Sequence, residues 1–195
     1  MNNIAIFASG SGTNAQAIIE YLRSVNKDSV KLILSNNPEA YVLQRAKKLN
    51  IKSEIFTKNQ FFNSEYVLQI LENENIELIV LAGFLWLIPQ NILQRYNKRM
   101  INIHPALLPN YGGKGMYGAR VHEAVVANSE SETGITIHFV NEEYDKGEII
   151  LQAKCTIEPT DTPEIVAQKV HALEYEYFPK TIENVLDSIK KEKLF

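Results

Sequence analysis

Residues Glu77 to Ala82 read Glu-Leu-Ile-Val-Leu-Ala, an apolar run without alternation. Successive residues of a strand point to opposite sides, so such a run is stable only where both faces of its sheet are covered. This favours a parallel strand sandwiched between helices, and the rest of the first hundred residues has the same grammar. Asn3 to Ala8 reads as a buried strand, followed by the turn Ser9-Gly10-Ser11-Gly12-Thr13 and a helix with Ala15, Ile18, Ile19 and Leu22 on its inner face. Val30 to Ser35 is a second strand, stopped by Asn36-Asn37-Pro38, and a helix carrying Val42, Leu43, Ala46 and Leu49 comes next. A short strand at Ser53 to Phe56 and a helix from Phe62 to Asn73, with Val67, Ile70 and Leu71 inward, precede the central run. A short helix from Pro89 to Tyr96 then leads into a strand at Met100 to Ile103. Strands alternating with helices in this way predict an α/β fold: a mostly parallel, twisted, Rossmann-like sheet with helices on both faces.

The second half differs. Tyr111 to Gly118 contains four of the nine glycines, so we expect a loop there, and a helix from Ala119 to Ala127. Thr133 to Val140 alternates, with Ile135, Ile137 and Phe139 on one face, and returns through Asn141 to Gly147 into Glu148 to Thr156. The pair reads as an antiparallel hairpin at the sheet edge. Thr160-Asp161-Thr162-Pro163-Glu164 starts a last helix, with a break expected at Pro179. No linker divides the chain, so a single domain over 1–195 is expected.

Twenty basic and twenty-three acidic residues leave a formal charge of −3, which gives no electrostatic case for nucleic acid or an anionic membrane. Cys155 is the one cysteine, so no internal disulfide and no zinc cluster is expected. No run approaches the ~20 apolar residues of a membrane span, and the apolar start at Ile4 to Ala8 is too short for a signal peptide. A cytoplasmic protein is the expectation.

Three segments could carry chemistry. The turn Ser9 to Asn14 stands where a strand meets a helix N-terminus, and its free amides together with the helix dipole suit a phosphate. Gly10-x-Gly12-x-x-Ala15 also fits the loose dinucleotide fingerprint, but the second strand ends in Ser35-Asn36-Asn37, with no acid before Glu39 to hold a ribose. No Gly-Lys-Ser/Thr follows, so it is not a nucleotide-triphosphate loop. A monophosphate site and a plain turn capped by Thr13 or Asn14 both remain open. In Ile101-Asn102-Ile103-His104-Pro105, Asn102 and His104 share one face of a strand at its C-terminal end, where open α/β sheets bind ligands. An amide beside an imidazole can stabilise an oxyanion while moving a proton, although a structural histidine fits the spacing too. Asp145, in Glu142-Glu143-Tyr144-Asp145-Lys146-Gly147, reads by spacing as a turn aspartate, and Trp86 stands where a pocket floor would be. His104, His122, His138 and His171 are scattered without metal-ligand spacing, so no metal is expected.

Together these segments resemble the folate-dependent glycinamide ribonucleotide formyltransferases of purine biosynthesis, from Ile4 to about Ile182. The resemblance is carried by Ser9-Gly10-Ser11-Gly12-Thr13-Asn14, Leu81-Ala82-Gly83-Phe84, Asn102-Ile103-His104-Pro105-Ala106-Leu107-Leu108-Pro109, and His138-Phe139-Val140 followed by Asp145 and Ile150-Leu151-Gln152. It implies a catalytic set of Asn102, His104 and Asp145, with Asp145 keeping His104 charged. It also implies that Gly12, Thr13, Asn14, Pro105 and Glu174 hold the phosphoribosyl substrate. Leu85, Trp86, Leu87 and Ile88, with Asn102, Asn141, Glu142, Glu143, Tyr144 and Asp145, would then line the pocket of the co-substrate 10-formyltetrahydrofolate. On this reading 1–100 is the phosphate-binding half and 101–195 the catalytic and folate-binding half. The partners are small molecules, the protein is a monomer or homodimer, and the loop Gly112 to Gly118 acts as a lid. Where some members carry an arginine near Ser64 for the folate tail, this chain reads Phe62-Asn63-Ser64-Glu65-Tyr66. A formyltetrahydrofolate deformylase, a non-catalytic phosphate-binding module and a dinucleotide oxidoreductase stay open as alternatives.

Overall fold

The computed structural model describes residues 3–192. In chain order the elements are β1 (Asn3–Phe7), α1 (Thr13–Ser24), β2 (Val30–Ser35), α2 (Val42–Lys48), β3 (Lys52–Ile55), α3 (Lys58–Phe62), α4 (Tyr66–Asn73), β4 (Ile76–Leu81), α5 (Gln90–Arg95), β5 (Met100–His104), α6 (Ala119–Ala127), β6 (Glu132–Phe139), β7 (Ile149–Thr156) and α7 (Pro163–Glu192). The strands form one sheet in the order β3-β2-β1-β4-β5-β6-β7. Strands β1 to β5 pair in parallel, whereas β6 and β7 run antiparallel.

The central strands alternate sides as their sequence requires. Ile4 and Ile6 of β1 and Leu78 and Val80 of β4 pack with α1, α2, α6 and α7, while Ala5, Phe7, Ile79 and Leu81 pack with α3, α4 and α5. Each fully buried Ile or Leu contributes about 1.5–3 kcal/mol, so the two covered faces are the main source of cohesion. On the second face, Phe7, Phe56, Phe61, Phe84 and Trp86 form a continuous aromatic cluster, with centroids 4.9–6.4 Å apart. This cluster lies beneath the C-terminal strand ends and sets the position of Trp86.

Two expectations are corrected. The helix expected from Phe62 to Asn73 starts at Tyr66, as α4, and a separate short helix, α3, precedes it. Thr57 and Gln60 form a reciprocal capping box that starts α3 early. Ser64 Oγ then donates to the Gln60 carbonyl and accepts from the Tyr66 amide, bonds that compete with continued helix between the two. The second correction is at Pro179, where α7 runs on without a break. Phe178 and Ile182, both fully buried, hold the helix to its course on either side; an interior proline costs about 3 kcal/mol, and packing of this extent offsets it.

The order of the strands decides where a site can form. Chain connections reverse direction between β1 and β4, and at that point the Ser9 amide donates to the Gly83 carbonyl. Across the sheet, Phe7 pairs with Leu81, Leu81 with Asn102, and Asn102 with His138. The glycine turn, the end of β4 and the end of β5 therefore open side by side at a topological switch point. Among the described residues no helix is long and apolar enough to cross a membrane.

Strand β6 has a position with no space for a side chain. A Cβ at Gly134 would lie 1.9 Å from the Ala153 carbonyl oxygen. Gly134→Ala should therefore destabilise the protein by about 3 kcal/mol or more, read as a lower urea midpoint. An unchanged midpoint would mean that the hairpin shifts without cost.

Candidate active site

One cavity of about 680 Å³ lies over the switch point. Its walls include the turn Ser9 to Asn14, the stretch Leu81 to Ile88, Asn102 to Pro105, the loop Gly113 to Gly118, and Glu174. The structure thus gathers Gly12, Thr13, Asn14, Pro105, Glu174, Leu85, Trp86, Leu87, Ile88, Asn102, His104, Asn141, Glu143, Tyr144 and Asp145 around a single space. Glu142 is not among them. Its carboxylate accepts a hydrogen bond from Gln90 at 2.9 Å beside a separate hollow. The bond to Gln90 holds its side chain toward α5.

At one end stands the head of α1. Gly12 is its N-cap, with φ 73°, and neither Thr13 nor Asn14 supplies a capping side chain. The plain capped turn is thereby corrected: the helix start is left open to an acceptor from outside. A Cβ at Gly12 would come within 2.4 Å of the Val42 side chain, so glycine is needed for both its conformation and its closeness to α2. Asn14 instead donates to Glu174 Oε2 at 2.9 Å. Glu174 is buried, and that burial pushes its carboxyl above the usual carboxylate range, against the Asn14 bond and nearby His171.

At the other end, β5 and β6 bring four polar side chains together. His104 Nε2 donates to the Tyr111 carbonyl at 2.7 Å, which leaves Nδ1 facing Asp145 Oδ2 at 3.5 Å. His138 Nδ1 donates to the Phe139 carbonyl, and its Nε2 accepts from Asn102 Nδ2 at 3.1 Å. Asn102 Nδ2 also lies 3.5 Å from Asp145 Oδ1. The carboxylate is oriented by the Gly113 amide, which donates to Oδ2 at 2.9 Å. Asp145 itself has φ 57°, a left-handed conformation that turns its side chain back from the hairpin into the cavity.

Burial pushes His104 down, and it outweighs the opposing pull of Asp145 and the Tyr111 carbonyl. The resting ring therefore sits below the ordinary histidine value, with Asp145 pulling the other way. For Asp145 the balance is reversed. Burial raises it, but His138, His104 and the Gly113 amide together hold it below the usual carboxylate range. The result is an ionised carboxylate beside an imidazole able to take a proton.

Spacing alone did not identify His138 as part of this set. The signal was present in the alternation of Thr133 to Val140, which puts Thr136 and His138 on one face, and pairing with β5 sets that face opposite His104 and Asn102. His122 and His171 also line the cavity and were scattered in sequence. Among the described residues no group of three His, Cys, Asp or Glu could hold a metal ion.

A family model described as formyl transferase matches residues 2–182. The chain is 36% identical over 191 residues to the phosphoribosylglycinamide formyltransferase of Bacillus subtilis, covering 95% of each. It is 37% identical over 186 residues to the chloroplastic phosphoribosylglycinamide formyltransferase of Arabidopsis thaliana, where it spans 92% of this chain and 63% of that one. The crystal structure of phosphoribosylglycinamide formyltransferase from Bacillus halodurans superposes with a TM-score of 0.85 at 36% identity, over 95% of both chains.

The buried imidazoles predict a pH effect on stability. Burial, with His171 and His104 close by, pushes His122 down to about 4. Between there and the ordinary value of about 6.5, the unfolded chain binds a proton that the folded protein refuses, so stability falls as pH drops through this window. The loss from this ring should reach about 2 kcal/mol near pH 5. Urea unfolding at neutral and mildly acid pH should show a smaller loss in His122→Phe than in the parent. Equal losses would clear His122 of the effect.

Proposed function

The chain belongs to the formyl transferase family, and on that premise we propose that it transfers a formyl group from 10-formyltetrahydrofolate to the amine of phosphoribosylglycinamide, a step of purine biosynthesis. The observation that carries this reading is that an open helix N-terminus and the Asn102–His104–Asp145 group face one cavity. Residues 1–195 are read as one formyltransferase domain, with the phosphate half before residue 100 and the catalytic half after it.

The substrate phosphate rests on the amides at the head of α1, favoured by the helix dipole. Glu174, held by Asn14, meets the ribose or glycinamide, beside Pro105. The folate ring lies against Leu85 to Ile88, with Asn141 and Glu143 to Asp145 as its polar rim; Glu142, bonded to Gln90, is left out of that rim. The amine attacks the formyl carbon, a carbon–nitrogen bond forms, and the formyl oxygen gains negative charge. Asn102 Nδ2 donates to that oxygen, an interaction worth about 3–4 kcal/mol for a well-placed donor. The amine nitrogen, now positive, gives up a proton to His104 Nδ1 by way of a water held on Asp145. Asp145 stabilises the resulting imidazolium, which donates to the oxyanion and then returns the proton to the folate nitrogen as the old carbon–nitrogen bond breaks. A resting ring below its ordinary value suits this cycle, because it begins as a base and ends as an acid. The family's co-substrate is a formyl folate, and no step here requires a metal.

The test mixes the purified protein with 10-formyltetrahydrofolate and follows release of the deformylated folate by absorbance, with and without phosphoribosylglycinamide. Release only with the ribonucleotide supports transfer; equal release without it means hydrolysis, and no release in either means a binding module. Asn102→Ala and His104→Ala should each lower kcat about a hundredfold or more, and near-normal turnover in either would overturn these roles. Gly12→Val should raise KM for the ribonucleotide, because its side chain would displace Val42 at the helix head. An unchanged KM would move the phosphate elsewhere.

A further inference from the structure

His122 of α6 lines the cavity and has no part in the chemistry above. It is 3% exposed, and its Nδ1 is sealed from solvent with no hydrogen-bond partner among the described residues. Its ring meets that of His171 edge-on, with centroids 6.3 Å apart and planes at 86°. His104 lines the same cavity. His171 lies three residues before Glu174 on α7, so the two share a helix face, and Glu174 accepts from Asn14 at the head of α1. His122, His171, Glu174 and Asn14 therefore follow one another along the wall of the cavity that His104 also lines.

A phosphoribosyl amine has a matching order: a reacting amine, a sugar in the middle, a phosphate at the far end. With the amine at His104 and the phosphate at α1, the sugar falls against His122. Pushed well below its ordinary value, this ring is neutral near pH 7, so one nitrogen donates and the other accepts. A hydroxyl also does both, and it can pair with either tautomer; a phosphate would call for a cation instead. A buried nitrogen without a partner costs stability that an apolar side chain of similar size would recover. With Nδ1 closed off, the ring meets a ligand in the cavity through its other nitrogen, Nε2.

We infer that His122 is a further substrate-binding residue, one that hydrogen-bonds a ribose hydroxyl of the phosphoribosyl substrate. The inference rests on the cavity's reading as a phosphoribosyl site, and its test does not require turnover. Calorimetry would compare ribose 5-phosphate and inorganic phosphate on the wild type, His122→Phe and His122→Asn, with His122→Leu as a replacement should the Phe ring not fit. His122→Phe should weaken ribose 5-phosphate binding about tenfold, and His122→Asn, which keeps a donor and an acceptor, should recover most of it. Inorganic phosphate should bind all variants alike. In thermal melts at neutral pH, ligand-free His122→Phe should be no less stable than the wild type.

Equal affinity of the wild type and His122→Phe for ribose 5-phosphate overturns the inference. An equal loss for inorganic phosphate also overturns it, because that pattern means a distorted helix head. If the wild type binds ribose 5-phosphate in this His122-dependent way but transfers no formyl group, the inference stands and the proposed activity falls. If the wild type does not bind ribose 5-phosphate, the inference falls with the reading beneath it.

Discussion

The Asp145 carboxylate is where the separate parts of the cavity meet. It lies on the hairpin between β6 and β7, faces His104 and Asn102 of β5 and His138 of β6, and accepts the Gly113 amide from the glycine-rich loop. A buried anion is tolerated only where donors and opposite charge surround it. Satisfying this one group fixes the hairpin turn, the loop entrance and the ring of His104 relative to one another. The left-handed backbone at Asp145 is the local cost of aiming the side chain inward.

The sheet supplies the rest of the alignment. Asn102 pairs with His138, and His104 with Thr136, because β6 joins β5 antiparallel in a defined register. A slip of β6 by one residue would send Thr136 and His138 to the opposite face, away from Asn102 and His104. Below them, the aromatic cluster of Phe7, Phe56, Phe61 and Phe84 seats Trp86 at the cavity wall. The apolar packing of the second face thus also builds the aromatic part of the cavity wall.

Much of this was legible in the sequence. The unbroken run at Glu77 to Ala82 required a sheet covered on both faces, and Ile4, Ile6, Leu78 and Val80 do face one helical layer while their neighbours face the other. Asn102 and His104 could be paired by strand alternation alone. Asp145 could not, because a turn aspartate has no periodicity to mark it, and only resemblance singled it out. His138 and His122 needed the pairing of distant elements, which no local pattern contains. The continuity of α7 through Pro179 and the start of α4 at Tyr66 were missed for related reasons: burial overrode a helix breaker in the first, and Ser64 hydrogen bonds overrode a helical pattern in the second.

The loop from Tyr111 to Gly118 shares its hydrogen bonds with His104 and Asp145. The Tyr111 carbonyl occupies one nitrogen of His104, and the Gly113 amide occupies one oxygen of Asp145. Swinging this segment outward would strip the imidazole of the bond that sets its tautomer and the carboxylate of a donor that keeps it ionised. Loop, imidazole and carboxylate therefore form one hydrogen-bonded unit. Any change in the path of this loop is felt directly at both groups, with no intermediary between them.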